Sequence, residues 1–235
     1  MPFLGVGGSA EEKDMRHRRI LGKTGCAVFY EGGRRVQIPE PWWLKASAEK
    51  YQRLTMEDFL YTLENGDSIR LQFRISNYYH LMGLHKFQDI PELMINPTRR
   101  VTQISIYRMI LNGTLTEFDL QSSAFYDEEK LMARFCVFLD IEKYLYSMKN
   151  AVMPFNQSLV RGTSHITADA VLFAVEMHNG IDETGGKNYI MLFTRYDKRI
   201  GAYAPVSFFL ETSDRYIANQ RTLAIVNVKR EGKRQ

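Results

Sequence analysis

The stretch Asn77-Tyr78-Tyr79-His80-Leu81-Met82-Gly83-Leu84-His85-Lys86-Phe87 sets two histidines and a lysine in a short apolar segment behind a strand-like run. Imidazole is the side chain best able to move protons near neutral pH. Lys86, a cation six residues past His80, could serve a phosphate. On a continuous helix the five-residue step from His80 to His85 turns about 140° around the axis, so the two rings face different ways. His80 then shares a face with Leu84 and Phe87, and His85 with Tyr78 and Leu81. Each also fits a bland role, a hydrogen-bonded histidine at the edge of a core. A two-histidine metal site wants an i,i+4 pair, as in H-E-x-x-H, and the sequence holds none. No metal and no cofactor is expected.

Three other segments could bear chemistry. In Pro205-Val206-Ser207-Phe208-Phe209-Leu210-Glu211-Thr212, strand alternation puts Val206, Phe208 and Leu210 on one face and Ser207, Phe209 and Glu211 on the other. A polar, aromatic and acidic face can hold a base and a stacking platform for RNA, although a solvated face is commoner. No Gly-x-Ser-x-Gly elbow surrounds Ser207, which argues against serine-hydrolase chemistry. Thr194-Arg195-Tyr196-Asp197-Lys198-Arg199 ends a strand with cations. Arg195 could stabilise a pentavalent phosphorane, because a planar guanidinium matches phosphate oxygens in bidentate fashion; the bland alternative is a basic turn. His165 and His178 read as surface residues. Leu21-Gly22-Lys23-Thr24 is no P-loop, since His17 stands where that motif needs glycine.

The elements that must position these residues change character along the chain. Residues 1–50 are rich in glycine, proline and charge, with a small hairpin expected from Val28-Phe29-Tyr30 and Val36-Gln37-Ile38 around Glu31-Gly32-Gly33. They read as an N-terminal extension, and residues 51–235 as the main domain. Thr55-Met56-Glu57-Asp58 has the form of an N-cap and predicts a short helix to about Glu64. Asn65-Gly66-Asp67 is a turn, and Ile69, Leu71, Phe73 and Ile75 alternate as a strand. Ser76 or Asn77 then caps a helix holding the two histidines. A helix spans Val101 to Ile110, ended by Asn112-Gly113, and the longest runs from Asp127 to about Met148. Beyond residue 160 the period becomes two. Residues 166–177, 189–196, 206–212 and 223–229 read as strands, with a short helix over 214–220. Helices followed by consecutive strands predict an α+β fold with an antiparallel sheet.

Composition sets broad limits. Of 235 residues, 45% are hydrophobic and 25% charged, which fits one globular core and excludes a disordered or fibrous chain. The net charge of +4 is only a weak sign of an anionic partner. Cys26 and Cys136 are too few and too far apart for a disulfide framework. No signal-peptide pattern opens the chain and no apolar run reaches membrane length, so a reducing cytoplasm and no membrane contact are expected.

His80-Leu81-Met82-Gly83-Leu84-His85-Lys86 resembles the HLxGLHK signature of the fourth subgroup of phage-associated Barnase–EndoU–colicin–RelE-like nucleases. Further blocks agree in order: Ile110-Leu111-Asn112-Gly113 with Leu115-Thr116; Ser122-Ser123 with Phe125-Tyr126; Arg134 with Phe138; and Pro205-Val206-Ser207-Phe208-Phe209 with Tyr216-Ile217 and Gln220. The resemblance covers about residues 55–230. It implies N-terminal helices followed by a four-stranded antiparallel sheet of the Barnase/EndoU/RelE kind. It also implies a metal-independent RNase, acting as a toxin or in conflict between mobile elements. His80 matches the signature histidine, and Lys86, Ser207 and Gln220 match recurring positions; Arg195 and Glu211 are added from strand geometry.

The resulting expectation is an endoribonuclease in which the ribose 2′-OH attacks the adjacent phosphate. That reaction needs a base, an acid and cations. His80 would be acid or base, with Glu211 as its partner and Arg195 and Lys86 as phosphate clamps. Ser207, Gln220 and His85 would contact substrate, and Phe209 or Tyr216 would stack a base of single-stranded RNA or tRNA. An antitoxin or immunity protein would be the natural partner. The alternative is an inactive RNA- or protein-binding module of the same fold.

Overall fold

The structure, a computed structural model, describes residues 30–31, 34–35, 43–147, 151–177 and 187–233. Segments 16–19, 21–24 and 182–186, together with Cys26, Trp42, Met148 and His178, lie outside them. The chain divides into two units, Met1–Glu40 and Pro41–Gln235. In the first, β1 (Tyr30–Glu31) and β2 (Arg34–Arg35) pair antiparallel, Tyr30 opposite Arg35. The pairing includes Glu31, expected in the turn, and Arg34–Arg35 rather than the expected strands; Val28, Phe29 and residues 36–38 lie outside the described residues.

The second unit opens with α1 (Trp43–Thr55). Leu44, Ala48, Tyr51 and Leu54 are fully buried on it at helical spacing. Tyr51 sits at the centre, its ring against Phe73, Tyr78, Tyr107 and Phe138 and its hydroxyl donating to the Arg74 carbonyl at 2.7 Å. Burying one such ring stabilises by roughly 1.5–3 kcal/mol. Then come β3 (Glu57–Leu63) and β4 (Ser68–Gln72), joined by a turn at Gly66. Residues 57–63 are therefore a strand, not the helix that Thr55 and its following acids suggested. Phe59, Tyr61 and Leu63 are all buried, a period of two that outweighs the cap-like opening.

Helices α2 (Tyr78–Leu81), α3 (Gln103–Leu111), α4 (Glu117–Gln121), α5 (Glu128–Leu139) and α6 (Ile141–Leu145) follow. The long helix expected to Met148 breaks at Asp140, whose φ and ψ of −98° and 9° leave the helical region. The break allows Ile141 and Leu145 to be buried.

Strands β5 (Ala151–Pro154), β6 (Ala170–Met177), β7 (Lys187–Asp197), β8 (Ala202–Glu211) and β9 (Leu223–Gly232) complete the fold. Residues 214–220 form hydrogen-bonded turns rather than a helix. The sheet is not four-stranded. Seven strands close in the order β3-β4-β8-β7-β6-β5-β9, with β9 returning to β3. The four strands read late in the sequence are β6 to β9; β3, β4 and the short β5 enlarge the sheet. Every pairing is antiparallel except β4 with β8.

Both faces of β6 and β7 are covered, which explains their unbroken apolar runs. On one face Phe208 meets Phe138 of α5 at 5.6 Å between ring centroids. On the other, Val171, Phe173, Tyr189, Met191 and Phe193 form a second core with Val160 and Tyr216. The register slips between Phe193 and Thr194, which face Ser207 and Pro205. Val206 is thus a bulge residue. Pro205 supplies no N–H to the ladder, and the bulge absorbs the loss. It also turns Val206 into the second core beside Phe209, instead of onto the Phe208 face that simple alternation predicts.

Candidate active site

The two histidines are brought together by a chain reversal. Helix α2 is only four residues long, and Tyr78, Tyr79 and Leu81 are buried, so His80 alone points outward. Gly83 then takes φ +74°, a left-handed conformation that glycine adopts without strain. A second short turn, Leu84–Lys86, begins there, with the Lys86 amide donating to the Gly83 carbonyl at 3.1 Å. Leu84 is the buried residue of that turn, so His85 and Lys86 are left at the surface. The rings of His80 and His85 lie 4.9 Å apart, tilted by 44°. They converge because the segment is two turns meeting at a glycine, not one helix carrying the rings about 140° apart. Tyr79 backs both, with ring centroids at 5.1 Å from His80 and 6.2 Å from His85. Its own hydroxyl is held by the Leu93 carbonyl at 2.7 Å.

Arg134 of α5, part of the Arg134 and Phe138 block but without an expected role, joins this group. Its Nη1 reaches the Leu81 carbonyl at 3.5 Å, a long contact. No sequence pattern ties the arginine to the histidines; the packing does, since a Cβ on Gly83 would stand 2.2 Å from Nη1 of Arg134. The glycine meets the guanidinium directly.

The electrostatics follow from four basic groups in one place. His85 is pushed down to about 4, first by partial burial and then by His80, Lys86 and Arg134; a hydrogen bond to the Tyr79 carbonyl opposes this. Partial burial also lowers His80. Lys86 is lowered by burial and by the charges of Arg134 and Lys130, with Asp127 acting the other way. Burial pushes Arg134 down to about 10, still protonated at neutral pH. At pH 7 the site therefore holds two neutral imidazoles beside two cations. Neutral imidazole is the form that accepts a proton.

The other candidate residues form a separate group. Arg134 and Phe138 lie one helical turn apart on α5, and Phe138 packs on Phe208. The histidine group thus belongs to that side of the sheet. Phe209 is on the opposite side, stacked on Phe193 at 5.3 Å and edge-on to Tyr216 at 5.5 Å. Tyr216 is buried, and the Arg215 guanidinium lies over its ring at 4.5 Å. Glu211 pairs with Arg215 at 2.8 Å and accepts from the Ser213 hydroxyl and the Thr212 and Ser213 amides. Gln220 makes a reciprocal pair with the backbone of Asn156, accepting at 3.0 Å and donating at 2.8 Å. Ser207 is half-buried opposite Phe193. Arg195, exposed, donates to the Thr167 carbonyl at 2.7 Å.

Among the described residues, no three His, Cys, Asp or Glu side chains gather as a metal site would require, and no helix is long and apolar enough to cross a membrane. Comparison with curated proteins and with solved structures found no match. A family model described as phage-Barnase-EndoU-ColicinE5/D-RelE like nuclease4 matches residues 43–234, nearly the whole second unit and all the groups above. The chain belongs to this family of Barnase-, EndoU-, colicin- and RelE-like nucleases.

Proposed function

We propose that the protein is an endoribonuclease whose chemistry is carried by His80, His85 and Lys86. Membership of a nuclease family makes nucleic acid the substrate class. The observation that favours RNA is the pair of neutral imidazoles 4.9 Å apart beside a lysine. His80 takes the proton of the ribose 2′-OH, and the 2′-oxygen attacks phosphorus. The bond from phosphorus to the 5′-oxygen breaks. His85, protonated once phosphate charge raises its basicity, gives that oxygen a proton. The products are a 2′,3′-cyclic phosphate and a 5′-hydroxyl. Lys86 offsets the charge that develops on the phosphoryl oxygens. A divalent cation is not required by this scheme, and the cations beside the imidazoles would repel one.

In this reading Phe209, Tyr216, Glu211 and Gln220 hold the second core and its covering loop rather than touch the scissile phosphate, because their polar atoms and rings are already engaged. A role as a toxin or mobile-element effector, restrained by a cognate inhibitor in the cytoplasm, goes with the phage association in the family description. The test is cleavage of total cellular RNA in EDTA by the wild-type chain and by His80→Ala of matched folding. Wild-type-only cleavage leaving 2′,3′-cyclic ends is expected. Retention of RNA binding without cleavage by either protein would support the binding-module alternative. In cells, the wild-type chain expressed alone is expected to slow growth and His80→Ala to relieve it.

A further inference from the structure

Six of the described arginines are ion-paired: Arg70, Arg74, Arg161, Arg199, Arg215 and Arg230 each meet an Asp or Glu within 3.3 Å. The other described arginines without an ion pair are exposed, whereas Arg134 is half-buried. Among the described residues no carboxylate pairs with it, and its contact is the long one to the Leu81 carbonyl. A guanidinium carries five N–H donors, so most of its capacity is unspent. It is also partly buried, where an uncompensated charge is costly, and the second cation of the site, Lys86, lies within its electrostatic reach. A packed arrangement of like-signed groups is relieved by an anion.

We propose that Arg134 anchors the scissile phosphate through its guanidinium, and that Gly83 is the positioning residue that leaves room for it. The proposal rests on the nuclease reading above and deepens it. Two N–H donors of one guanidinium can meet two phosphoryl oxygens in parallel. The charge count also fits the reaction. A phosphodiester carries one negative charge, and its pentavalent intermediate carries two. Lys86 and Arg134 supply two positive charges, so the match improves as the reaction proceeds, which is the condition for accelerating it. Arg195, the guanidinium favoured on strand geometry, falls by alternation on the Phe193 face of β7, away from the histidine pair, and is exposed.

The experiment uses the full chain and two readouts. The first is titration of inorganic phosphate at pH 7, followed by the imidazole resonances of His85. The second is cleavage of a single-stranded RNA oligonucleotide in EDTA. Wild type is expected to show a saturable phosphate shift. Arg134→Gln is expected to lose it and to lower kcat on the order of 10²-fold. Arg134→Lys, which keeps charge but not the fork, is expected to weaken the phosphate shift about tenfold. An unchanged phosphate shift in folded Arg134→Gln overturns the proposal. If that variant does not fold, an unchanged affinity in Arg134→Lys overturns it equally. A phosphate shift that depends on Arg134, in a protein that cleaves no RNA, upholds the anion anchor while the nuclease reading falls. RNA cleavage unaffected by loss of Arg134 does the reverse.

Discussion

Gly83 and Arg134 occupy one space: a Cβ on Gly83 would stand 2.2 Å from Nη1 of Arg134 and 3.2 Å from its Cζ. The same glycine, at φ +74°, turns the chain so that His85 meets His80. Gly83→Ala is therefore expected to act twice. The left-handed backbone costs roughly 1–2 kcal/mol of stability. The methyl group also drives away the guanidinium, which is the far end of a flexible side chain and can swing clear. Urea unfolding should show the modest stability loss, and RNA cleavage should fall far more than the folded fraction does. Cleavage that tracks the folded fraction would reduce Gly83 to a turn residue.

The sequence shows the late strands and the helix over 103–111 clearly, because their apolar spacing has one dominant period. It misleads at residues 55–63, where a cap-like Thr55 precedes a strand whose apolar set, Phe59, Tyr61 and Leu63, is short. It hides β5 altogether, a four-residue strand with little pattern of its own. At the site, both histidines and Lys86 are visible from residue type alone. Their convergence is not, since it depends on one backbone angle at Gly83. Arg134 is hidden for a different reason: it comes from another helix 51 positions on, and only the packing shows the pair. The grouping of Glu211 with Arg215 is likewise a property of the turn that follows β8.

His85 predicts a pH dependence of stability. Its folded value is about 4, against 6.5 for an ordinary histidine. Between these pH values the unfolded chain takes up a proton that the folded protein does not. Stability therefore rises with pH across this window and levels off above it. Partial burial sets the sign, His80, Lys86 and Arg134 facing the ring add to it, and the hydrogen bond to the Tyr79 carbonyl opposes it. Proton NMR of the imidazole should place the wild-type titration near pH 4, and Lys86→Ala should move it upward. A titration at the ordinary value in both proteins would remove the electrostatic account of the site.

Glu117 predicts a stability effect away from the chemistry. This buried carboxylate, the first residue of α4, accepts from the Leu44 amide at 2.6 Å and so closes the N-terminus of α1. Burial raises its pKa, opposed by the Leu44 hydrogen bond. Glu117→Ala strands a buried N–H and is expected to cost about 1–3 kcal/mol. Glu117→Gln, which keeps an acceptor, should cost less. Urea unfolding at pH 7 separates the two, and equal losses would mean that side-chain volume, not the hydrogen bond, holds α1.

Glu211 and Arg215 separate the two faces of the sheet by function. Their ion pair of 2.8 Å, with Arg215 lying over Tyr216, fixes the turn that seals the second core. Arg215 is partly exposed, so their coupling in a double-mutant cycle is expected to be about 0.5–1 kcal/mol, near the upper end for surface pairs. Glu211→Gln should then lower stability while leaving kcat on RNA within about threefold of wild type, whereas His80→Ala should remove cleavage at unchanged stability, a base contributing on the order of 10²–10⁴-fold. A large kcat loss in stably folded Glu211→Gln would bring this carboxylate into the chemistry. Proton transfer would then belong to the β8 face, and the imidazole pair would be left with binding alone.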